Sequence, residues 1–248
     1  MTILRNEEEY ERLRAAGRLV AEALLLAGKL VRPGVSTLSI DTKIEELIRD
    51  NGAEPAFKGY KGYPATICAS RNEVVVHGIP SEKVILREGD ILGVDVGVKL
   101  NGFYADAART FPVGEISEKA SMLVEATRKS LEEGTRNAVS GNRVSDISIA
   151  IQKVAQSSGF KEVRAFVGHG TGRNLHELPE VPNWGVKGRG KVLEEGLVLA
   201  IEPMFNEGTR EVEIMPDGWT AVTADRKLSA HFENTVIVGK SNVEVVTS

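Results

Sequence analysis

A chain of 248 residues with 42% hydrophobic and 27% charged residues has the composition of an ordinary globular protein, which excludes disordered, collagen-like and mucin-like sequence. At this length roughly three quarters of the unfolded chain's surface can be buried, so the core needs no covalent staple. The net charge of −4, from 31 basic and 35 acidic residues without long blocks, argues against DNA as a partner held by gross charge. The one cysteine, Cys68, excludes an intramolecular disulfide and a cysteine-built metal cluster. No stretch approaches the roughly 20 apolar residues of a membrane span, and the opening Asn6-Glu7-Glu8-Glu9 is acidic where a targeting segment is basic. A cytoplasmic protein with no membrane partner is the expectation.

In chain order, Asn6 is placed to cap a first helix with Glu9 as its capping-box partner, and Tyr10, Leu13, Gly17, Val20 and Leu24 recur as one buried stripe. Pro33-Gly34 ends that region, and a second helix is predicted over roughly Leu38–Arg49, closing at Asn51-Gly52. Tyr63 to Val76 reads as β and runs into His77-Gly78-Ile79-Pro80. A strand is predicted at Ile91–Val98, and Asn101-Gly102 is the strongest short hairpin signal available. The second half echoes the first. Glu88–Asp95 matches Glu195–Glu202 and Gly52 matches Gly159 at an offset of 107, and Ser36–Ile40 matches Ser145–Ile149 at 109. This period is too long for a solenoid. It fits two related α+β halves, roughly 1–115 and 116–248, in a single domain spanning 1–248, each ending its matched strand in a carboxylate.

A two-residue turn fixes the hairpin register. Leu100 faces Phe103, so Gly97 faces Asp106, and Asp95 becomes a diagonal neighbour of Asp106 at about 7–8 Å between Cα atoms. Two like charges among apolar residues are costly unless a cation or a shared proton lies between them. A divalent metal meets that need; so does a pairing of one aspartate with Arg109, and the hairpin alone leaves both open. The second half shifts the balance. Glu202 ends an apolar strand before Pro203, which favours extended backbone, and Glu233 opens another strand. Four carboxylates at strand positions exceed what ion pairing usually explains. In Gly168-His169-Gly170 the glycines let backbone and imidazole approach a crowded site. No dinucleotide or Walker pattern is present, and Pro179 rules out a zincin helix at His176-Glu177. His231 shares a strand face with Glu233 but is not counted as a ligand.

The set His77-Gly78-Ile79-Pro80, Asp95, Asp106, Gly168-His169-Gly170, His176, Glu202-Pro203 and Glu233 resembles the type I methionine aminopeptidases in their short bacterial form, over essentially the whole chain. The resemblance implies the pita-bread fold, in which two pseudo-symmetric halves with antiparallel sheet and outer helices close over a dinuclear metal site. It implies Asp95, Asp106, His169, Glu202 and Glu233 as ligands of two divalent ions, cobalt, manganese, iron or zinc. Glu202 would also shuttle a proton, His176 would stabilise the scissile carbonyl and His77 would assist the leaving amide. Substrates would be nascent polypeptides with N-terminal methionine and a small second residue. The methionine side chain would enter a pocket of Tyr60, Tyr63, Cys68, Leu175 and Trp219. Phe57 stands where the family often has cysteine, and Leu175 where it has phenylalanine. Asn72, Val74 and Ser229 match positions that hold a monovalent cation.

The protein is expected to act as a monomer. The basic, glycine-rich Gly185–Lys191 stretch reads as a flexible solvated loop or as a contact with the ribosome. Competing readings are an X-Pro aminopeptidase or dipeptidase of the same fold, a non-catalytic pita-bread binding module, and a dinuclear phosphoesterase. The filled ligand positions count against the binding module, and the lack of evident phosphate donors counts against the phosphoesterase.

Overall fold

In the computed structural model, which describes residues 1–248, the central sheet grows from a two-residue turn. Asn101 and Gly102 both take left-handed backbone angles, φ 52° and 81°, as a tight turn matched to strand twist demands. They join strands Ile91–Leu100 and Phe103–Pro112 in the register expected from sequence, Leu100 opposite Phe103 and Gly97 opposite Asp106. The first strand runs on past Val98 to Leu100 because a turn this short lets pairing begin at once. Strand Ile67–Arg71 joins the other edge and sets Cys68 opposite Asp95.

Helices α1 (Glu7–Leu30) and α2 (Thr37–Asp50) pack their apolar faces together with this hairpin. On α1, Leu13, Gly17, Val20 and Leu24 are buried and Tyr10 is half-buried, as the stripe predicts. Gly17 is required by close approach, since a Cβ there would lie 2.2 Å from the Val246 carbonyl oxygen. Asn6 caps the helix by accepting the Glu9 N–H at 3.0 Å. The capping box does not close on Asn6: Glu9 accepts the Arg5 N–H at 2.8 Å and pairs with Arg173. Ser36 caps α2, which therefore starts at Thr37, one residue before Leu38.

Helices α3 (Glu118–Arg136) and α4 (Val144–Ser158) cover a five-stranded sheet. Its order is Val243–Val245, Asn234–Val238, Val198–Ile201, Gly168–Gly170, Glu177–Val181, with every strand pair antiparallel. Glu177–Val181 is thus a strand, and His169 sits at the centre of the short strand Gly168–Gly170. A smaller sheet pairs Met204–Asn206 with Ser229–His231.

Two apolar cores result. One joins α1, α2 and the hairpin and takes in Val198, Ile237 and Val246 from late in the chain. The other joins α3, α4 and the five-stranded sheet and takes in Ile91. The layers are stitched where Ala108 and Glu233 exchange backbone hydrogen bonds, at 2.9 Å from the Glu233 N–H and 3.4 Å from the Ala108 N–H. Gly185–Lys191 forms a loop that is exposed from Val186 to Gly190, as expected, and it is tethered: the Arg189 N–H donates to Ser145 Oγ, the Val144 N–H to Lys191 O, and Arg143 to Gly190 O. Gly190 lies against Val144, so the loop is pinned to the start of α4.

Candidate active site

A cavity of about 550 Å³ opens at this seam, lined by Asp95, Asp106, His169, Glu202 and Glu233 together with both His77 and His176. Its volume suits a small ligand or the end of a peptide. The hairpin supplies the two aspartates. Asp106 is buried, and the Thr235 hydroxyl lies 2.9 Å from both its Oδ1 and its carbonyl oxygen while accepting its N–H at 3.0 Å. Asp95 has a buried Oδ1 with no hydrogen-bond partner. Glu202 and Glu233 lie at breaks between strands, where the backbone is free to turn a side chain inward.

His169 reaches the cleft because its neighbours have no side chain. A Cβ on Gly168 would lie 2.5 Å from the Ala200 carbonyl oxygen, and one on Gly170 2.3 Å from that of Leu178. The His169 Nδ1 contacts the Gly170 carbonyl at 2.9 Å, which fixes the proton there and leaves the Nε2 lone pair free. That Nε2 lies 3.6 Å from Asp106 Oδ2 and 3.6 Å from Glu202 Oε1. One ligand atom each from Asp106, His169 and Glu233 falls within 4.8 Å of the others.

The electrostatics are those of a site built for cations. Burial pushes the Asp95, Glu202 and Glu233 carboxyls well above their usual range, and the neighbouring acids push them further. Burial raises Asp106 to about 6 against the opposing pull of His176 and Thr235. Burial likewise lowers His169 and His176 to about 4, keeping both imidazoles neutral. Only histidines approach these carboxylates within ion-pair distance. The pairing of Arg109 with an aspartate does not occur. Arg109 spends its donors on the carbonyls of Ala108, Glu233 and Thr247 and on Asn234 Oδ1. An orphaned carboxylate oxygen, a free imidazole lone pair and four acids without a basic partner fit hard or borderline divalent ions.

Around this cluster, His176 Nδ1 lies 3.0 Å from the Tyr60 hydroxyl and its ring centroid 4.3 Å from that of His169. His77 takes a left-handed φ of 59° and stands edge-on to Phe166 and Trp219. Backbone strain of this kind in a non-glycine residue persists only where its surroundings enforce it. Tyr60, Tyr63, Cys68, Leu175 and Trp219 all line the cavity. The Tyr63 hydroxyl is spent on the carbonyls of Ile67 and Gly78 at 3.0 Å each, which turns an apolar ring towards Trp219, 5.1 Å away. Phe57 also lines the cavity and fits because its ring lies over Gly97.

Asn72, Val74 and Ser229 do not line the cavity. Ser229 donates its N–H to the Asn72 carbonyl at 2.9 Å. The Asn72 Oδ1 is taken by the Ile91 N–H and the Ser229 hydroxyl by Asn206. Several cavity residues were not foreseen from sequence, among them Lys61, Phe166, Leu178 and Glu180. Thr235, which holds Asp106, was equally hidden, and Arg109, read from sequence as a candidate partner of an aspartate, instead holds the Glu233 carbonyl; only distant strand pairings bring them there.

The pita-bread arrangement of helices outside antiparallel sheets, with an acidic, imidazole-bearing cleft at the seam, defines the class as a metal-dependent hydrolase. The model of metallopeptidase family M24 matches residues 11–240. The chain belongs to metallopeptidase family M24. A methionine aminopeptidase of Clostridium perfringens is 51% identical over 247 residues, covering 100% of this chain and 99% of that one. The crystal structure of a methionine aminopeptidase from Thermotoga maritima superposes with a TM-score of 0.97 at 43% identity, covering 100% of both chains. A prolidase from Pyrococcus furiosus shares the fold at a TM-score of 0.79 and 23% identity, with 99% of this chain matched to 65% of that one.

Proposed function

We propose that this chain, acting as one catalytic domain, hydrolyses the first peptide bond of nascent proteins and peptides that begin with methionine and a small second residue. The observation that carries this reading is the group of four carboxylates facing one cavity beside a neutral His169, Asp106 and Glu233 buried and Asp95 and Glu202 half-buried, with no lysine or arginine within ion-pair distance of them. The high identity to methionine aminopeptidases over the full chain supports the choice of substrate.

Asp95, Asp106, His169, Glu202 and Glu233 would hold two divalent cations, drawn from cobalt, manganese, iron and zinc. When bound, such a pair supplies an acidified water and a Lewis-acid clamp. Glu202, which faces the cavity, takes up the proton of the attacking water as a carboxylate and gives it up again. His176, neutral and hydrogen-bonded to Tyr60, donates to the scissile carbonyl oxygen as charge develops, a contribution of about 10²–10³ in rate for a single donor. His77 stands across the cavity and assists the departing amide nitrogen. Asp95 holds the free α-amine, which makes the enzyme an exopeptidase. Tyr63, Cys68, Leu175 and Trp219 enclose the thioether side chain, whose flexibility suits aromatic edges and a soft sulfur neighbour. Asn72, Val74 and Ser229 would take a monovalent cation through their oxygens.

The test is cleavage of Met-Ala-Ser, an X-Pro peptide and a phosphate ester by protein stripped of metal and then reloaded with manganese or cobalt. Metal-dependent release of methionine is the expected result. Cleavage that survives chelation overturns the metal mechanism, and preference for the X-Pro peptide moves the chain to the other branch of its fold.

A further inference from the structure

One buried titratable group beside the cleft has no part in the mechanism above. His231 is 4% exposed, does not line the cavity, and has an Nε2 without any hydrogen-bond partner. Its strand faces Met204–Asn206 in a register that sets His231 opposite Met204. Glu202 lies two residues before Met204, which makes His231 its diagonal cross-strand neighbour. The Nε2 points at Glu202 Oε2 from 3.9 Å, while Glu202 Oε1 faces His169 on the cavity side. The ring is held in place through its backbone, since the Thr110 hydroxyl accepts the His231 N–H at 2.9 Å and lies 2.8 Å from its carbonyl oxygen.

We infer that His231 is a positioning residue for Glu202: in the metal-loaded protein its Nε2–H donates to Oε2 and holds Oε1 towards the cleft. The inference rests on the proposed metal-dependent reading. The 3.9 Å separation exceeds hydrogen-bond reach, and hydrogen bonds of catalytic groups that are long in an unliganded site often shorten only in the working complex. An outer partner of this kind orients a ligating carboxylate and typically changes metal affinity or activity by about 10–100-fold when lost.

The experiment compares manganese binding by calorimetry, and kcat and KM for Met-Ala-Ser, in wild type, His231→Leu and His231→Gln. The expected result is about 10–100-fold weaker manganese binding in His231→Leu, with kcat lowered and KM little changed. His231→Gln keeps a donor and recovers most of both. Equal loss in the two variants, or no loss in His231→Leu, overturns the inference. A readout that needs no variant is the tautomer of His231 in the zinc-loaded wild type, by NMR of isotope-labelled imidazoles. A proton on Nε2 supports the assignment and a proton on Nδ1 overturns it, including where His231→Leu fails to fold. A wild type that binds no manganese overturns the functional reading and this inference together, whereas wild-type binding with an unaffected His231→Leu overturns the inference alone.

Discussion

Gly170 shows how one missing side chain decides the site. Its backbone passes so close to Leu178 that a Cβ would stand 2.3 Å from a carbonyl oxygen, and backbone cannot step aside as a flexible side chain can. Gly170→Ala is therefore expected to lose about 1–3 kcal/mol, read as a fall in Tm of about 2–4 °C per kcal/mol. It should lose manganese affinity as well, because strand Gly168–Gly170 carries His169. The acids behave in the opposite way. Asp106→Asn and Glu233→Gln each remove a charge that the metal-free fold tolerates poorly, so the metal-free variants should melt no lower than wild type. Both should nevertheless lose at least about 10²-fold in metal-dependent activity, the scale on which ligand-shell losses act. Loss of stability with activity retained would make these residues ordinary structural acids.

At the scale of elements, the hairpin was legible and the rest of the centre was not, for one physical reason. A two-residue turn ties register to sequence number, so the diagonal placement of Asp95 and Asp106 follows from the residue numbers alone. The turn itself can be tested. Gly102 has φ 81° with open space around it, so Gly102→Ala probes conformation alone and should cost about 1–2 kcal/mol, measured by denaturant unfolding of the metal-free protein. Glu202, Glu233 and His169 were legible as residue types beside Pro203 and between glycines, without their partners. Their meeting depends on pairings such as Asn234 with Ile201 and His169 with Ala200, which no local signal encodes. The same holds for Thr235, which crosses from its own strand to hold Asp106. In the Gly185–Lys191 stretch composition marks the exposed loop, while its tethers to the start of α4 use the loop's backbone groups and leave no trace in composition.

The whole molecule joins two apolar cores across a seam that concentrates negative charge, and pH is the variable that exposes the consequence. A carboxyl raised in the folded state contributes stability below its unfolded value of about 4, and that contribution is lost as pH climbs through the folded value. Asp95, Asp106, Glu202 and Glu233 all act in this sense. The histidines act oppositely. His169 and His176 at about 4 and His231 at about 3 hold fewer protons than the unfolded chain up to about 6.5, so they add stability as pH rises to that point. The two trends overlap in the metal-free protein, and its melting curve alone would not separate them. Comparing loaded with metal-free protein does, because the unfolded chain is common to both. At pH 6 and above these imidazoles are already neutral, whereas Asp106, at about 6, still holds part of a proton and the other three acids favour theirs. Cations must displace those protons, so affinity rises with pH, and the stabilisation they confer follows affinity. The gap in Tm between manganese-loaded and metal-free protein should therefore widen steadily from pH 6 to pH 7.5, and calorimetry in buffers of different ionisation enthalpy should detect proton release on binding. A gap that stays constant over that range, with no proton released, would mean that the cations do not bind among these acids.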